Sequence, residues 1–190
     1  MSENPSELNP VGTEPAAPEE SVVSEANEGQ IYVARSGAHW VLRLHGVIRF
    51  TLSPALNQLL DQAFADPQTE QILLDLSHTR SIDSTNLGVL ARIARFARQR
   101  GAPPPPLIAP DPSIIALLEG ICFDQLFTIL PSADYSAAGL TQLSALDTDE
   151  RAMMALVLEA HRRLCAIDAK NHAEFRDLVA ALEQQTPHGD

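Results

Sequence analysis

The segment Gln71–Leu76 (Gln-Ile-Leu-Leu-Asp-Leu) constrains the fold more than any other stretch of this chain. It is a nearly continuous apolar run of strand length, the pattern of a strand covered on both faces. Such a strand belongs inside a layered α/β structure, and its flanks read accordingly. Ile31–Arg35 and Trp40–His45 are short β-rich runs separated by Ser36-Gly37-Ala38-His39, a hairpin signal. In the second run Trp40, Leu42 and Leu44 face one way and Val41, Arg43 and His45 the other, and Gly46 is expected to break the strand. Ser53-Pro54 opens a helix, with Ser53 as N-cap and Pro54 at the first helical position. Leu56, Leu59, Leu60, Ala63 and Phe64 follow at spacings of three and four, a core-facing stripe that Asp66-Pro67 ends.

After Leu76 the sequence predicts a loop and then Asp83-Ser84 at the start of a long helix. Leu87, Leu90, Ile93, Ala94 and Ala97 share its inner face, and Gly101 terminates it. Arg92, Arg95, Arg98 and Arg100 lie largely on the other side, as a solvated face or a contact for an acidic partner. Pro103 to Pro106 form a stiff lead-in to a short strand, Leu107–Ala109, which prolines suit to a sheet edge. Asp111-Pro112 caps a helix whose apolar set is Ile114, Ile115, Leu117 and Leu118. Phe123, Leu126, Phe127 and Ile129 suggest a turn and a last strand. The order β-β-α-β-α-β-α-β implies an α/β fold, a mixed β-sheet with helices packed on it, over residues 30–131.

The two ends read differently. Residues 1–34 hold seven of the 25 acidic residues and no Lys or Arg, so much of the net charge of −12 is concentrated there. Residues 1–29 read as a disordered acidic tail, since they carry too little apolar surface to offset the entropy of ordering. Residues 132–147 read as a linker. Residues 148–185 carry a helical hairpin, with helices over 149–168 and 172–184. Asp147 with Glu150, and Asn171 with Glu174, have capping-box spacing. Met153, Leu156, Val157, Ala160, Leu164 and Ile167 form the first stripe and Phe175, Leu178, Val179 and Leu182 the second. An apolar stripe must be covered, here by the α/β domain or by a docking or dimerisation partner.

Composition narrows the function classes. The acidic balance argues against nucleic acid as a partner. No apolar run is long enough to span a bilayer, and the N-terminus has no secretory pattern, so a cytoplasmic location is expected. Cys122 and Cys165 read as small buried apolar residues in a reducing compartment. Asp75, His78 and Ser84 make a hydrolase triad only on paper, without the Gly-x-Ser-x-Gly elbow, so no enzyme is expected. His161 and His172 read as surface histidines rather than metal ligands, and neither a P-loop nor Gly-x-Gly-x-x-Gly points to a cofactor.

The strand Ile72–Leu76 followed by Asp83-Ser84-Thr85-Asn86-Leu87-Gly88 resembles the core signature of STAS domains, and more narrowly that of anti-sigma factor antagonists. Leu117-Leu118-Glu119 with Phe123-Asp124-Gln125-Leu126-Phe127 resembles that family's closing segment, and the C-terminal hairpin is similar to the tail of HsbA-type antagonists. The resemblance implies that Ser84 is a phosphoacceptor, with Thr85 a second hydroxyl beside it, and that Asp83, Ser84, Thr85, Asn86 and Arg49 form the partner-binding surface. It implies an anti-sigma factor as partner, and a serine kinase and a serine phosphatase, within a response regulator or apart, that set the phosphorylation state. Asn86 stands where Gly or Ala is common, Arg49 where many relatives have Asp, and Cys122 where Gly is frequent, the last expected to matter only to packing. A different resemblance-based role is that of a STAS subunit in an ABC-type lipid-transport complex, and a non-catalytic scaffold is a third.

The residues supply a physical basis for such a switch. Ser84 at a helix start can cap free amide groups, and a phosphoryl group there faces the positive end of the helix, a contact worth about 0.3–1 kcal/mol. Phosphorylation then leaves the helix intact. Its about −1.5 to −2 charges beside Asp83 fall on the partner, and each 1.4 kcal/mol of burial cost is roughly tenfold in affinity.

Overall fold

The computed structural model describes residues 28–135 and 138–185, and the predicted acidic tail falls almost wholly outside the described residues. A six-stranded mixed sheet carries the order β5-β4-β3-β2-β1-β6. Its strands are β1 (Gln30–Ser36), β2 (His39–Ile48), β3 (Gln71–Ile82), β4 (Pro106–Ile108), β5 (Thr128–Leu130) and β6 (Thr141–Gln142). The helices are α1 (Ser53–Ala65), α2 (Ser84–Gln99), α3 (Pro112–Gly120), α4 (Glu150–Cys165) and α5 (Ala169–Gln185). β2 through β5 run parallel, whereas β1 pairs antiparallel with β2 on one side and β6 on the other. The apolar run forms a strand as expected, but its apolar burial is on one face: Ile72, Leu74 and Leu76 are buried with Leu42 and Leu44 beside them, Leu56, Leu60, Leu87, Leu90 and Ile93 complete the core, and on the other face Gln71 is exposed and Leu73 half-buried. Among the described residues no helix is long and apolar enough to cross a membrane.

Four local expectations change. Gly46 does not end its strand. It takes φ +76 at a shift in register between β2 and β3, and the ladder resumes as far as Ile48 opposite Ile82. The predicted loop after Leu76 is therefore the second half of β3. β4 is not an edge strand, because β5 pairs outside it; Pro106 is tolerated as its first residue, where one missing donor costs little. Cys122 sits at φ +60, so the residue in place of a frequent Gly affects the backbone as well as the packing.

The predicted linker is held to the sheet. β6 adds to its edge, and the Tyr135 hydroxyl donates to Asp75, which also pairs with Arg43 at 2.7 Å. Asp75 is buried, and burial by itself would raise its pKa. The hydrogen bonds from Ser77, Tyr135 and Arg43 outweigh that and hold it below its ordinary value.

The hairpin covers the domain. Residues Thr85 to Ala91 of α2 are buried without a break, which a one-sided amphipathic helix cannot achieve. The sheet and α1 take one side and α4 the other. Gly88 permits the crossing: a Cβ there would lie 2.3 Å from the Ala160 carbonyl oxygen and 2.7 Å from the Ala160 Cα. The two backbones approach as closely as two helices can.

Candidate functional site

The site forms where β2 and β3 end and α2 begins. The Asp83 amide donates to the Ile48 carbonyl at 3.1 Å, which brings Arg49 alongside the start of α2. Asp83, not Ser84, is the N-cap: its carboxylate accepts from the Asn86 amide at 2.9 Å and from the Asn86 side chain at 3.0 Å. Ser84 is thereby the first residue of the helix proper, and its hydroxyl has no capping duty.

That hydroxyl lies 2.8 Å from Nε2 of His161, a residue 77 positions away on α4. The other ring nitrogen, Nδ1, lies 2.8 Å from the Val157 carbonyl oxygen, which can only accept. Nδ1 therefore carries the proton, and in the neutral ring Nε2 accepts from the Ser84 hydroxyl. Phe175 of α5 meets the imidazole edge-on at 5.7 Å. An oriented imidazole drawing on a serine hydroxyl at a helix N-terminus increases the nucleophilic character of the oxygen.

The predicted surface residues divide. Ser84 and Asp83 are half-buried, and Arg49 is exposed beside Phe50, which is 47% exposed although large and apolar. Thr85 and Asn86 are interior. Asn86 Oδ1 accepts from the Ser53 hydroxyl at 3.0 Å, so it joins the start of α1 to the start of α2 instead of facing a partner. This also corrects the reading of Ser53 as a cap; α1 continues from a 3₁₀ turn over Phe50–Leu52, and Leu52 precedes it without a side-chain cap bond. Thr85 is 5% exposed and packs inside the α2 contacts, whereas Ser84 is half-buried. The paper triad is not assembled: Asp75 is engaged by Arg43 and Tyr135, and His78 stacks on His45 at 5.8 Å.

His161 is the residue that sequence reading placed on the surface; it is 3% exposed. A signal was present, because Val157, His161 and Leu164 fall at spacings of four and three along the apolar stripe. The hairpin caps also shift. Asp149 caps α4 through the Ala152 amide, and Asn171 is buried, donating to the Ile121 carbonyl at 2.7 Å. His172 is exposed.

Residues 31–126, just over half of the chain, match the protein family described as "Mlab, STAS domain". Among solved structures, an anti-sigma factor antagonist from Mycobacterium paratuberculosis is similar at 22% identity, over 58% of this chain and 92% of that one, with a TM-score of 0.41. No curated protein matches. The matched residues hold the β2 and β3 ends, Asp83, Ser84 and the whole of α2, while His161 lies beyond them. The chain belongs to the STAS-domain family.

Proposed function

We propose that this chain is an anti-sigma factor antagonist whose partner binding is controlled by phosphorylation of Ser84. One observation carries the reading: Asp83 fills the N-cap, so the Ser84 hydroxyl is left at the helix start, half-buried and hydrogen-bonded to an oriented imidazole. A serine kept only as a cap would be spent on the helix amides. In the transfer, the Ser84 oxygen attacks the terminal phosphorus of the kinase's nucleotide, the nucleoside diphosphate leaves, and the hydroxyl proton passes to a base. His161 is the base nearest to hand.

Arg49 and the exposed Phe50 follow the end of β2, which pairs with Asp83 at the start of α2, and an apolar residue among charged ones suits a protein partner. A phosphoryl group would place about two negative charges beside Asp83 in that surface. The partner then has to bury them or stay away, so the unmodified form binds the anti-sigma factor and the phosphorylated form does not. The kinase and phosphatase are separate proteins of the same pathway, and the role is binding rather than catalysis, in the cytoplasm.

Intact-mass and phosphopeptide analysis of the protein from its native cells tests this, with Ser84→Ala alongside. A phosphate on Ser84 that is lost in the variant, together with capture of an anti-sigma factor by unphosphorylated protein only, is the expected result. No phosphate under any growth condition, with co-purification of a membrane ATPase, would replace this reading with that of a transport subunit.

A further inference from the structure

We propose that the groove between the C-terminal half of α2, the Pro103-Pro104 lead-in and the end of α4 binds a phosphate-bearing anion, held by Arg163, Arg95 and Arg98. The site is remote from Ser84 along α2 and does not depend on the reading given for that residue.

The groove encloses about 600 Å³ and is lined by Arg92, Arg95 and Arg98 from α2 and Arg163 from α4. A second depression of about 520 Å³ shares Arg92, Arg95 and Arg163. This concentration of cations stands on a chain with 13 basic against 25 acidic residues, so it is not the overflow of a basic protein. Bulk electrostatics repel anions from this molecule, and whatever binds here does so through local contacts.

Neutralisation within the cluster is incomplete. Arg92 is satisfied: its guanidinium pairs with Asp61, bonds Asn57 and lies 5.2 Å over the Phe64 ring. Arg163 is not. Its nearest carboxylate, Glu159, is 3.7 Å from Nη2 and is shared with Arg162 at 2.9 Å. Among the described residues, Nη1 of Arg163 is the buried side-chain nitrogen or oxygen left without a hydrogen-bond partner. A buried charged donor without an acceptor is costly, and a turn of the guanidinium that brought Nη1 from its closed position onto a ligand oxygen in the groove would remove that cost. Burial, and after it the neighbouring charges of Arg92 and Arg95, also hold the Arg163 guanidinium below its ordinary basicity. An anion between these groups would relieve both effects.

Guanidinium forks pair with two oxygens at a time; a phosphate has enough oxygens to serve several forks at once, whereas a single carboxylate serves one and chloride none. The walls formed by Ala94, Ala97, Leu126 and Ile167 leave room for an apolar body attached to the phosphate. The shared chemistry fits a free phosphorylated compound and the headgroup of an anionic phospholipid alike.

The test uses the full chain. Inorganic phosphate and pyrophosphate are titrated calorimetrically at constant chloride, and flotation with phosphatidylglycerol-containing vesicles runs in parallel. Saturable binding of pyrophosphate, weakened roughly tenfold or more by Arg163→Gln and by Arg95→Gln, is expected and assigns a soluble ligand. Vesicle binding lost in the same two variants, without soluble binding, assigns a headgroup. Arg95 is exposed, so its variant answers the question even if Arg163→Gln disturbs α4. Arg35→Gln, which removes a cation paired with Asp66 elsewhere, is expected to leave binding within twofold of the parent. Absence of both kinds of binding, or equal loss in Arg35→Gln, overturns the proposal.

Discussion

The two ends of α2 are built on opposite rules. At its N-terminal end the side chains of Asp83, Ser84 and Asn86 are all partnered: Asp83 accepts from Asn86, Asn86 accepts from Ser53, and Ser84 meets His161. The helices there meet without slack at Gly88 and Ala160. At its C-terminal half the packing opens into a groove, and Arg163 keeps a buried donor with no acceptor. Interior polar groups that are fully satisfied fix one arrangement, whereas an unsatisfied one in a groove is a place where something from outside can add stability. One helix thus combines a closely packed frame for a single hydroxyl with an open groove lined by arginines.

The sharpest way to break this contrast is at the tight end. Gly88→Val forces a branched side chain into the Ala160 backbone and should cost about 3 kcal/mol through overpacking. Urea unfolding reads the loss, and hydrogen exchange should show it first in α4 and α5. Asn86→Ala leaves the Ser53 hydroxyl buried without its acceptor and should cost about 2 kcal/mol by the same denaturation measurement. Removing the cap with Asp83→Ala is smaller, about 1 kcal/mol, and leaves Ser84 in place; thermal melting would register a shift of a few degrees.

The open end should respond in the other direction. Arg163→Met removes a poorly paired, partly buried charge, so with no anion present its stability should equal or exceed that of the parent by up to about 1 kcal/mol. A clear loss of stability would mean that Arg163 is satisfied and the contrast false. Outside α2, Asp75 supplies a pH marker. Its folded pKa lies below the ordinary 3.8, so its contribution is complete above that value and is lost as the pH falls through the lower folded pKa. Asp75→Asn should flatten the acid limb of the stability profile in that window.

Much of the fold was legible because its determinants are local. The apolar run of β3, the stripes of α1 and α2 and the Asp111-Pro112 start of α3 are written in neighbouring residues. The misreadings share one cause. Gly46 reads as the breaker of a strand that a parallel partner carries onward, and residues 132–147 read as a linker although two of them, Thr141 and Gln142, pair with the sheet edge. In both cases pairing across the sheet overrode a local preference. At the site, Asp83 and Ser84 stand out through their motif, and Thr85 and Asn86 enter the expected surface by adjacency to it. On a helix, neighbours in sequence point about 100° apart, and these two point inward.

What the sequence determined by itself is the order of strands and helices, the placement of an aspartate and a serine at the start of α2, and the existence of two amphipathic C-terminal helices. Each follows from periodicity and capping chemistry within a few residues. Only the tertiary structure decided that Asp83 takes the cap and frees Ser84, that His161 meets that serine across 77 residues, and that Arg163 is brought among the arginines of α2 with a donor to spare. The meetings of His161 with Ser84 and of Arg163 with the α2 arginines depend on where α4 crosses α2, and a crossing fixed by two backbones in contact at Gly88 and Ala160 has no trace in local spacing.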